Sequence, residues 1–193
     1  MTAPLILAST SRWRKDLLAR LKLPFRCVGS GIDEEKWSEG VRYPEQVAIA
    51  LARAKAVTVL AHEQDAVVIG SDQVVALGDR CLGKPATPER AVEQLLELAG
   101  RTHRLLTAVA IVRIGGMVEW LDDTVMTMRP LTRAEAERYV AADSPLDCAG
   151  SYRIESLGIA LFERIASDDA TAIVGLPLLR TSAELRRLGF PIP

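Results

Sequence analysis

Apolar residues recur along the chain with two spacings, one typical of buried strands and the other typical of helices. Short continuous apolar runs predict strands in the first half of the chain at Leu5–Ala8, near Phe25–Val28, at Val67–Gly70 and at Val74–Leu77. Apolar residues at helical spacing predict helices from Ser11 to about Leu21, from Pro44 onward and from Thr87 to Gly100. This alternation of helices and strands is typical of an α/β fold.

The second half of the chain begins with a pattern typical of a long hairpin. Two apolar-rich runs flank Gly115-Gly116, a strong turn signal, and Thr132 with Glu135 predicts a capping box at the start of the next helix. The elements predicted here are strands at 105–114 and 117–128, a helix that ends near Ala142, a strand on either side of 153–158, and a helix from about Pro177 to Gly189. We therefore predict a single α/β domain over residues 1–193, built on a mixed sheet.

The composition excludes several classes of protein. The formal net charge of −1 provides no overall attraction to a polymeric nucleic acid or to a membrane surface. No apolar stretch approaches the roughly 20 residues that span a bilayer, and the three cysteines form neither a CxxC pair nor a disulfide framework. We therefore expect a reduced, cytoplasmic protein. Because there are only two histidines, carboxylates are the expected ligands of any metal, which favours Mg²⁺ or Mn²⁺.

Several basic residues lie where local rules do not favour them. Arg12, Arg14 and Lys15 crowd the first turn of the first predicted helix and oppose its macrodipole. That arrangement suits a phosphate bound at the helix N-terminus, although a solvated basic patch is an alternative interpretation. Lys55 lies in the apolar half of a helix and Lys84 in a loop. A lysine in either position usually extends its ammonium to water, and binding of an anion is the alternative interpretation.

Asp72 interrupts the apolar segment VVIGSDQVVAL (67–77). One interpretation is a turn residue that bonds its own backbone. The other is a carboxylate at the end of a buried strand, in a cleft, where it could bind a metal or a water; departures from local pattern are expected at functional sites. The acidic run Asp33–Glu35 is, by itself, typical of a surface loop.

Eight ordered blocks of the sequence, taken together, resemble the Maf family of nucleoside triphosphate pyrophosphatases. They are LILASTSRWRKDLL (5–18), GIDEE (31–35), LARAKA (51–56), VIGSDQVV (68–75), LGKPATPERA (82–91), LAGRTHRLLTAVAI (98–111), LDCAGSYRIES (146–156) and VGLPL (174–178). The resemblance implies an elongated mixed α/β sheet flanked by helices, with two lobes around a central cleft as in ITPase-like folds. Members of the family often form dimers, so a homodimer is one expected state. The resemblance also implies cleavage of a nucleoside triphosphate between the α- and β-phosphates with a divalent cation, Mg²⁺ or Mn²⁺.

The resemblance also implies roles for residues that match the family's motifs. The triphosphate is expected to be held by Ser9, Arg14, Lys55 and Lys84. Asp72 matches the residue assigned as proton acceptor, although it could equally bind the metal. Asp33 and Glu34 fall in the acidic loop that approaches the site, and Glu34 is the preferred partner of Asp72 at the metal.

Three positions separate the branches of the family by the base that they accept. The branch acting on dTTP and UTP has two adjacent arginines in the first helix, a threonine after the strand aspartate, and a glutamine in the later loop. This chain has Trp13, Gln73 and Glu155 there, which resembles the branch that hydrolyses 7-methyl-GTP. An indole face attracts a flat cation such as N7-methylated guanine, and a carboxylate suits the N–H donors of guanine. Without the resemblance, Trp13 would be interpreted as a core residue and Glu155 as an exposed hairpin residue.

Two other functions remain open at this stage. One is a pyrophosphatase for dTTP and UTP, or for a broad range of nucleotides. The other is a nucleotide-binding regulator of septum formation, because the family name is tied to that process. Departures from the family pattern at Arg12, Ile154 and Ser156 affect the expected shape of the base pocket.

Overall fold

The computed structural model describes residues 3–38 and 40–193. Its strands are β1 (Leu5–Leu7), β2 (Arg26–Cys27), β3 (Val67–Leu77), β4 (Arg80–Leu82), β5 (Thr102–Arg113), β6 (Gly116–Met128) and β7 (Phe162–Ala166). Within the described residues these strands form one seven-stranded sheet in the order β2-β1-β3-β5-β6-β7, and β4 pairs with β3. Strand β1 is parallel to both β2 and β3, whereas the β3–β4 and β6–β7 pairs are antiparallel. The predicted mixed α/β fold is therefore confirmed.

All but the second of the helices in the described residues begin where the sequence signals predict. The helices are α1 (Arg12–Ala19), α2 (Glu34–Ser38), α3 (Pro44–Leu60), α4 (Pro88–Leu98), α5 (Arg133–Asp143) and α6 (Leu178–Arg187). Ser11 caps α1, Thr87 caps α4, and the predicted Thr132–Glu135 capping box is present at α5. Short 3₁₀ turns occur at Ala149–Ser151, Leu157–Leu161 and Ala172–Val174.

The chain divides into two compact units. The first comprises the described residues up to Gln73 together with Thr107–Asp122 and Asp169–Pro193, and the second comprises Val74–Leu106 and Asp123–Asp168. The single domain over 1–193, the elongated shape and the cleft between two lobes all stay predictions. No helix within the described ranges combines the length and the apolar character needed to cross a membrane.

The core of the first unit fixes β1 and the start of β3 in place. Apolar side chains of β1, α1, β3 and α6 pack in one cluster, with Leu7, Leu18, Ile69 and Leu185 all fully buried. Burying each such side chain contributes roughly 1.5–3 kcal/mol. The parallel register pairs Leu7 with Ile69, so the chain leaves β1 beside the polar middle of β3.

The polar middle of β3 is the main difference from the predicted elements. Two strands meeting at Ser71-Asp72-Gln73 were expected, with Asp72 in a turn or at a strand end; instead one continuous strand runs from Val67 to Leu77. The strand continues because its polar side chains have partners on both faces. Gly70 and Asp72 face α3, whereas Ser71 and Gln73 contact residues 172–175, as the period of two in a strand requires.

Other boundaries differ by smaller amounts. The acidic run Asp33–Glu35, expected in a surface loop, lies instead at the start of α2, because the Asp33 carboxylate accepts a hydrogen bond from the Lys36 backbone N–H and caps the helix. Helix α1 ends at Ala19 rather than near Leu21. Of the two strands expected around 153–158, only β7 is present in the described chain, and 3₁₀ turns occupy the rest. In that stretch, side-chain hydrogen bonds replace the ladder of a strand.

We predict that Gly70→Ala destabilises the protein because β3 and α3 are in direct contact at this position. A Cβ atom on Gly70 would lie 2.2 Å from the Ala52 carbonyl oxygen and 2.7 Å from the Ala56 nitrogen. Both are helix backbone atoms that cannot move independently, so the free energy of unfolding should fall by about 1–3 kcal/mol or more. Urea denaturation measures this change. Gly83→Ala is the matched control, because a Cβ atom at Gly83 meets no atom within 4 Å; equal stability of the two variants would contradict the packing argument.

Candidate functional site

Lys55 is the centre of the candidate site. It lies on α3, which approaches β3 closely through small residues, and its side chain is buried. Its Nζ is 2.6 Å from Oδ1 of Asp72 and 2.7 Å from Oε1 of Glu34. A single ammonium therefore joins a buried carboxylate of β3 to a half-exposed carboxylate at the start of α2. The interpretation of Lys55 as a surface lysine extending to water is wrong.

The charge of Asp72 is set by burial and by three ionic groups near it. Burial raises the pKa of Asp72, while Lys55 and Arg14 oppose that rise and Glu34 adds to it. For Arg14, burial lowers the guanidinium pKa, whereas Asp72 and Glu34 raise it. The structure thus brings Arg14, Glu34, Lys55 and Asp72 together. Such a cluster can hold a carboxylate whose proton affinity is raised beside two cations.

Arg14 is fixed by the backbone of a loop near the C-terminus. The Arg14 Nε donates a hydrogen bond to the Gly175 carbonyl over 3.0 Å, and the buried Ser71 hydroxyl donates to the same oxygen over 2.9 Å. Ser9, after β1, accepts a hydrogen bond at its Oγ from the Ser11 backbone N–H. Its own O–H can therefore donate to a ligand at the start of α1.

Gln73 faces the side of β3 opposite to Asp72. Its Nε2 donates to Thr107 Oγ1 over 2.9 Å, to the Ala172 carbonyl over 3.0 Å and to the Ile173 carbonyl over 3.2 Å. Thr107 in turn donates to the Ala172 carbonyl over 3.0 Å. Gln73 is thus held by hydrogen bonds on one side of its amide.

Trp13 is half-buried at the start of α1 and does not belong to the apolar core cluster of its unit. The guanidinium carbon of Arg12 lies 4.9 Å from the centroid of the indole ring. One face of the Trp13 indole is therefore covered by a planar cation of the chain itself. The interpretation of Trp13 as a core residue is wrong.

Lys84 and Glu155 belong to the second compact unit. Lys84 is exposed in the loop between β4 and α4, and Glu155 is exposed in a turn. Partial burial of the Glu155 carboxyl raises its pKa; a hydrogen bond to its own backbone and the charge of Arg153 oppose that rise, and Asp143 adds to it. The grouping of these two residues with Arg14, Lys55 and Asp72 stays a prediction.

The described residues contain no group of three or more His, Cys, Asp or Glu side chains placed to hold a metal ion. Two carboxylates, Glu34 and Asp72, nevertheless lie within 2.7 Å of the same ammonium nitrogen. Mg²⁺ is commonly held by one or two carboxylates, with waters and substrate phosphates as its other ligands. The oxygen donors present therefore fit such a cation. Asp33 is instead occupied in capping α2.

Sequence reasoning missed the residues that hold the candidate side chains Arg14 and Gln73 in place through hydrogen bonds. Ser71, Thr107 and the carbonyl of Gly175 bind the side chains around them but carry no catalytic chemistry themselves. The sequence did contain a signal for Gly175, since this glycine lies in the family block 174–178. In the structure its φ is 109°, a conformation that favours glycine.

Comparisons with known proteins agree with the resemblance found in the sequence. The Maf family model, described as Maf-like protein, matches residues 4–188. A 7-methyl-GTP pyrophosphatase of Bdellovibrio bacteriovorus is 47% identical over 91% of this chain and 92% of that protein. One of Xanthomonas axonopodis pv. citri is 48% identical over 98% of both. A solved structure of a HAM1 protein from Coxiella burnetii is similar in fold, with a TM-score of 0.52, 14% identity, and coverage of 96% of this chain and 99% of that one.

We predict that Lys55→Met raises the pKa of Asp72 further. Lys55 is the largest of the influences that lower this pKa against burial, so without the ammonium the carboxyl should take up a proton at higher pH and become neutral. A ¹³C NMR titration of the Asp72 carboxyl carbon measures the change. Arg53→Met is the matched control, because it removes a cation from the same helix, but one whose partner is Glu119. An Asp72 titration identical in the wild type and in Lys55→Met would rule out the buried pair.

Proposed function

The chain belongs to the Maf family, and we propose that it is a pyrophosphatase that hydrolyses 7-methyl-GTP to 7-methyl-GMP and pyrophosphate. The observation that carries the proposal is the buried Lys55–Asp72 pair, with Arg14 and Glu34 acting on the same charges. Relatives that cover nearly the whole chain at 47–48% identity are named for this reaction. Both lines of support lead to the same phosphoanhydride chemistry.

Binding of the triphosphate requires positive charge that water does not screen. Lys55 is buried and Arg14 is half-buried, so their attraction to phosphate oxygens is stronger than it would be at an exposed surface. The O–H of Ser9 is the proposed neutral donor to the phosphates. Lys84 is the fourth proposed contact.

Asp72 is the proposed proton acceptor. Burial raises its pKa above that of an ordinary aspartate, which makes its carboxylate a stronger base toward a water aligned with the α–β bridge. The two neighbouring cations keep a fraction of it ionised.

A divalent cation, Mg²⁺ or Mn²⁺, completes the proposal. Arg14, Lys55, Glu34 and Asp72 together carry no formal net charge, so these four alone provide no excess positive charge for a triphosphate. Glu34 and Asp72 would hold the cation. When bound, it would polarise the phosphoryl oxygens and offset the charge that develops on the pyrophosphate leaving group. Once Lys55 contacts phosphate instead of Glu34, that carboxylate becomes available as a ligand.

Base recognition rests on three residues. Trp13 would stack on the methylated guanine, whose positive charge an indole face attracts by ~0.5–2 kcal/mol. Glu155, once ionised, would accept hydrogen bonds from the N1–H and N2–H₂ groups of guanine. Gln73 is the third and lies one residue beyond Asp72 on β3. We also place the enzyme in the cytoplasm, where its substrate class is found; a homodimer stays a prediction.

We predict that pyrophosphate release from 7-methyl-GTP exceeds release from UTP, dTTP and GTP, and that it depends on Mg²⁺ or Mn²⁺. Asp72→Asn should lower the rate by roughly 10²–10⁴, because the proton acceptor is lost. Asp79→Asn, in the exposed turn after β3, is the control and should leave the rate unchanged. Faster turnover of UTP or dTTP would overturn the base assignment. Release of no pyrophosphate from any triphosphate would favour the regulatory alternative.

We predict that Trp13→Leu reduces the preference for 7-methyl-GTP over GTP by roughly 2- to 30-fold, since leucine keeps an apolar contact but loses the cation–π attraction. The ratio of kcat/KM for the two nucleotides is the measurement, and GTP is the internal control because it lacks the methyl group and its charge. An unchanged ratio would mean that Trp13 does not stack on the base.

A further inference from the structure

Residues 169–176, here named the carbonyl loop, contact four side chains of the first unit through three backbone oxygens. The Gly175 carbonyl accepts from Arg14 and Ser71, the Ala172 carbonyl accepts from Gln73 and Thr107, and the Ile173 carbonyl accepts from Gln73. The loop thus binds one proposed phosphate contact, Arg14, and one proposed base contact, Gln73. Any displacement of the loop would move both.

Two polar side chains hold this loop against the start of α6. The buried Asp169 carboxylate accepts from the Thr171 backbone N–H over 2.8 Å, from the Thr171 hydroxyl over 2.6 Å and from the Leu179 N–H over 2.7 Å. The Thr171 Oγ1 in turn accepts from the Leu178 N–H over 2.7 Å. The Thr171 hydroxyl therefore donates to Asp169 in the loop and accepts from the Leu178 N–H at the first residue of α6, so it joins the loop to the start of that helix.

The same network determines which way the Gln73 amide points. The hydroxyl hydrogen of Thr107 is directed to the Ala172 carbonyl, so Thr107 Oγ1 can only accept from Gln73. The Ala172 and Ile173 carbonyls are acceptors as well. All three neighbours therefore require the NH₂ group of Gln73 on the loop side, and the amide assignment follows from the hydrogen bonds. The Oε1 of Gln73, on the other side of the planar amide, is the atom it can offer to a ligand.

We propose that Thr171, together with Asp169, is a positioning residue that fixes the Arg14 guanidinium and makes Gln73 present only an acceptor to the base. This inference rests on the proposed function. An acceptor suits the N1–H and N2–H₂ donors of guanine, whereas the two carbonyls that flank the single N–H of uracil would be repelled by it. The loop thereby contributes to the choice of base without touching the nucleotide.

The test compares Thr171→Val, which keeps the side-chain shape but cannot bond, with Thr171→Ser, which keeps the hydroxyl. In Thr171→Val we expect KM for 7-methyl-GTP to rise by about tenfold, because Arg14 and Gln73 lose their fixed positions. The preference for 7-methyl-GTP over UTP should fall as well, and Thr171→Ser should restore both values. Thr181→Val is the matched control: it removes a buried hydrogen bond to Pro177 at the start of α6 and leaves the carbonyl loop intact. A fall in melting temperature in Thr171→Val with KM and preference unchanged would overturn the proposal.

Two further measurements test the inference without relying on the nucleotide, and the first of them needs no variant. In the wild-type protein, NMR scalar couplings across the hydrogen bonds should connect Gln73 Nε2 to the Ala172 or Ile173 carbonyl and Arg14 Nε to the Gly175 carbonyl. Inorganic tripolyphosphate, which has no base, should bind about tenfold more weakly to Thr171→Val than to Thr171→Ser. Absence of the couplings, or equal tripolyphosphate binding, would overturn the inference. If the wild type binds tripolyphosphate but does not hydrolyse 7-methyl-GTP, the proposed function fails and these measurements still decide the role of the loop.

Discussion

The contact between Lys55 and Asp72 is the interaction on which the candidate site depends. It exists only because α3 lies so close to β3 that position 70 has no room for a side chain. At this distance the lysine stem lies between helix and sheet, and its ammonium meets the carboxylate of β3 rather than bulk water. The position of the charges is thus a consequence of helix–sheet packing. The stability of the fold and the chemistry of the site therefore both depend on the short distance between α3 and β3.

Such a pair is a poor means of stabilising a protein. Removing two charges from water costs several kcal/mol for each, and their mutual attraction commonly does no more than offset that cost. Apolar residues at positions 55 and 72 would stabilise the folded protein at least as much as this ion pair does. The presence of Lys55 and Asp72 at this point, with Arg14 and Glu34 acting on them, is therefore better explained by a ligand that exchanges partners with them. A polyanion accompanied by a metal cation is such a ligand.

Much of the fold could be predicted from local signals, because caps and turns are set by neighbouring residues. Ser11, Thr87 and the Thr132–Glu135 pair mark helix starts that the structure confirms. The continuity of β3 could not be predicted in this way. Its polar residues are satisfied by partners 17 to 104 positions away in sequence, as with Lys55 for Asp72 and Gly175 for Ser71. Likewise, the resemblance to a family pointed to Arg14 and Asp72, but no sequence pattern identifies a backbone carbonyl as the anchor of a side chain.

The alternation of side chains along β3 explains why its polar segment has to be a strand. Gly70 and Asp72 face α3, where the first permits close packing and the second meets Lys55. Ser71 and Gln73 face the carbonyl loop, which binds both. A shift of one residue in register would exchange the two faces, placing the carboxylate against carbonyl oxygens and the amide against the lysine. In a turn, the strict alternation between faces would be lost. Four consecutive residues can therefore meet α3 and the carbonyl loop separately because the strand places them on two faces, and the roles proposed for Asp72 in proton transfer and for Gln73 in base recognition depend on that separation.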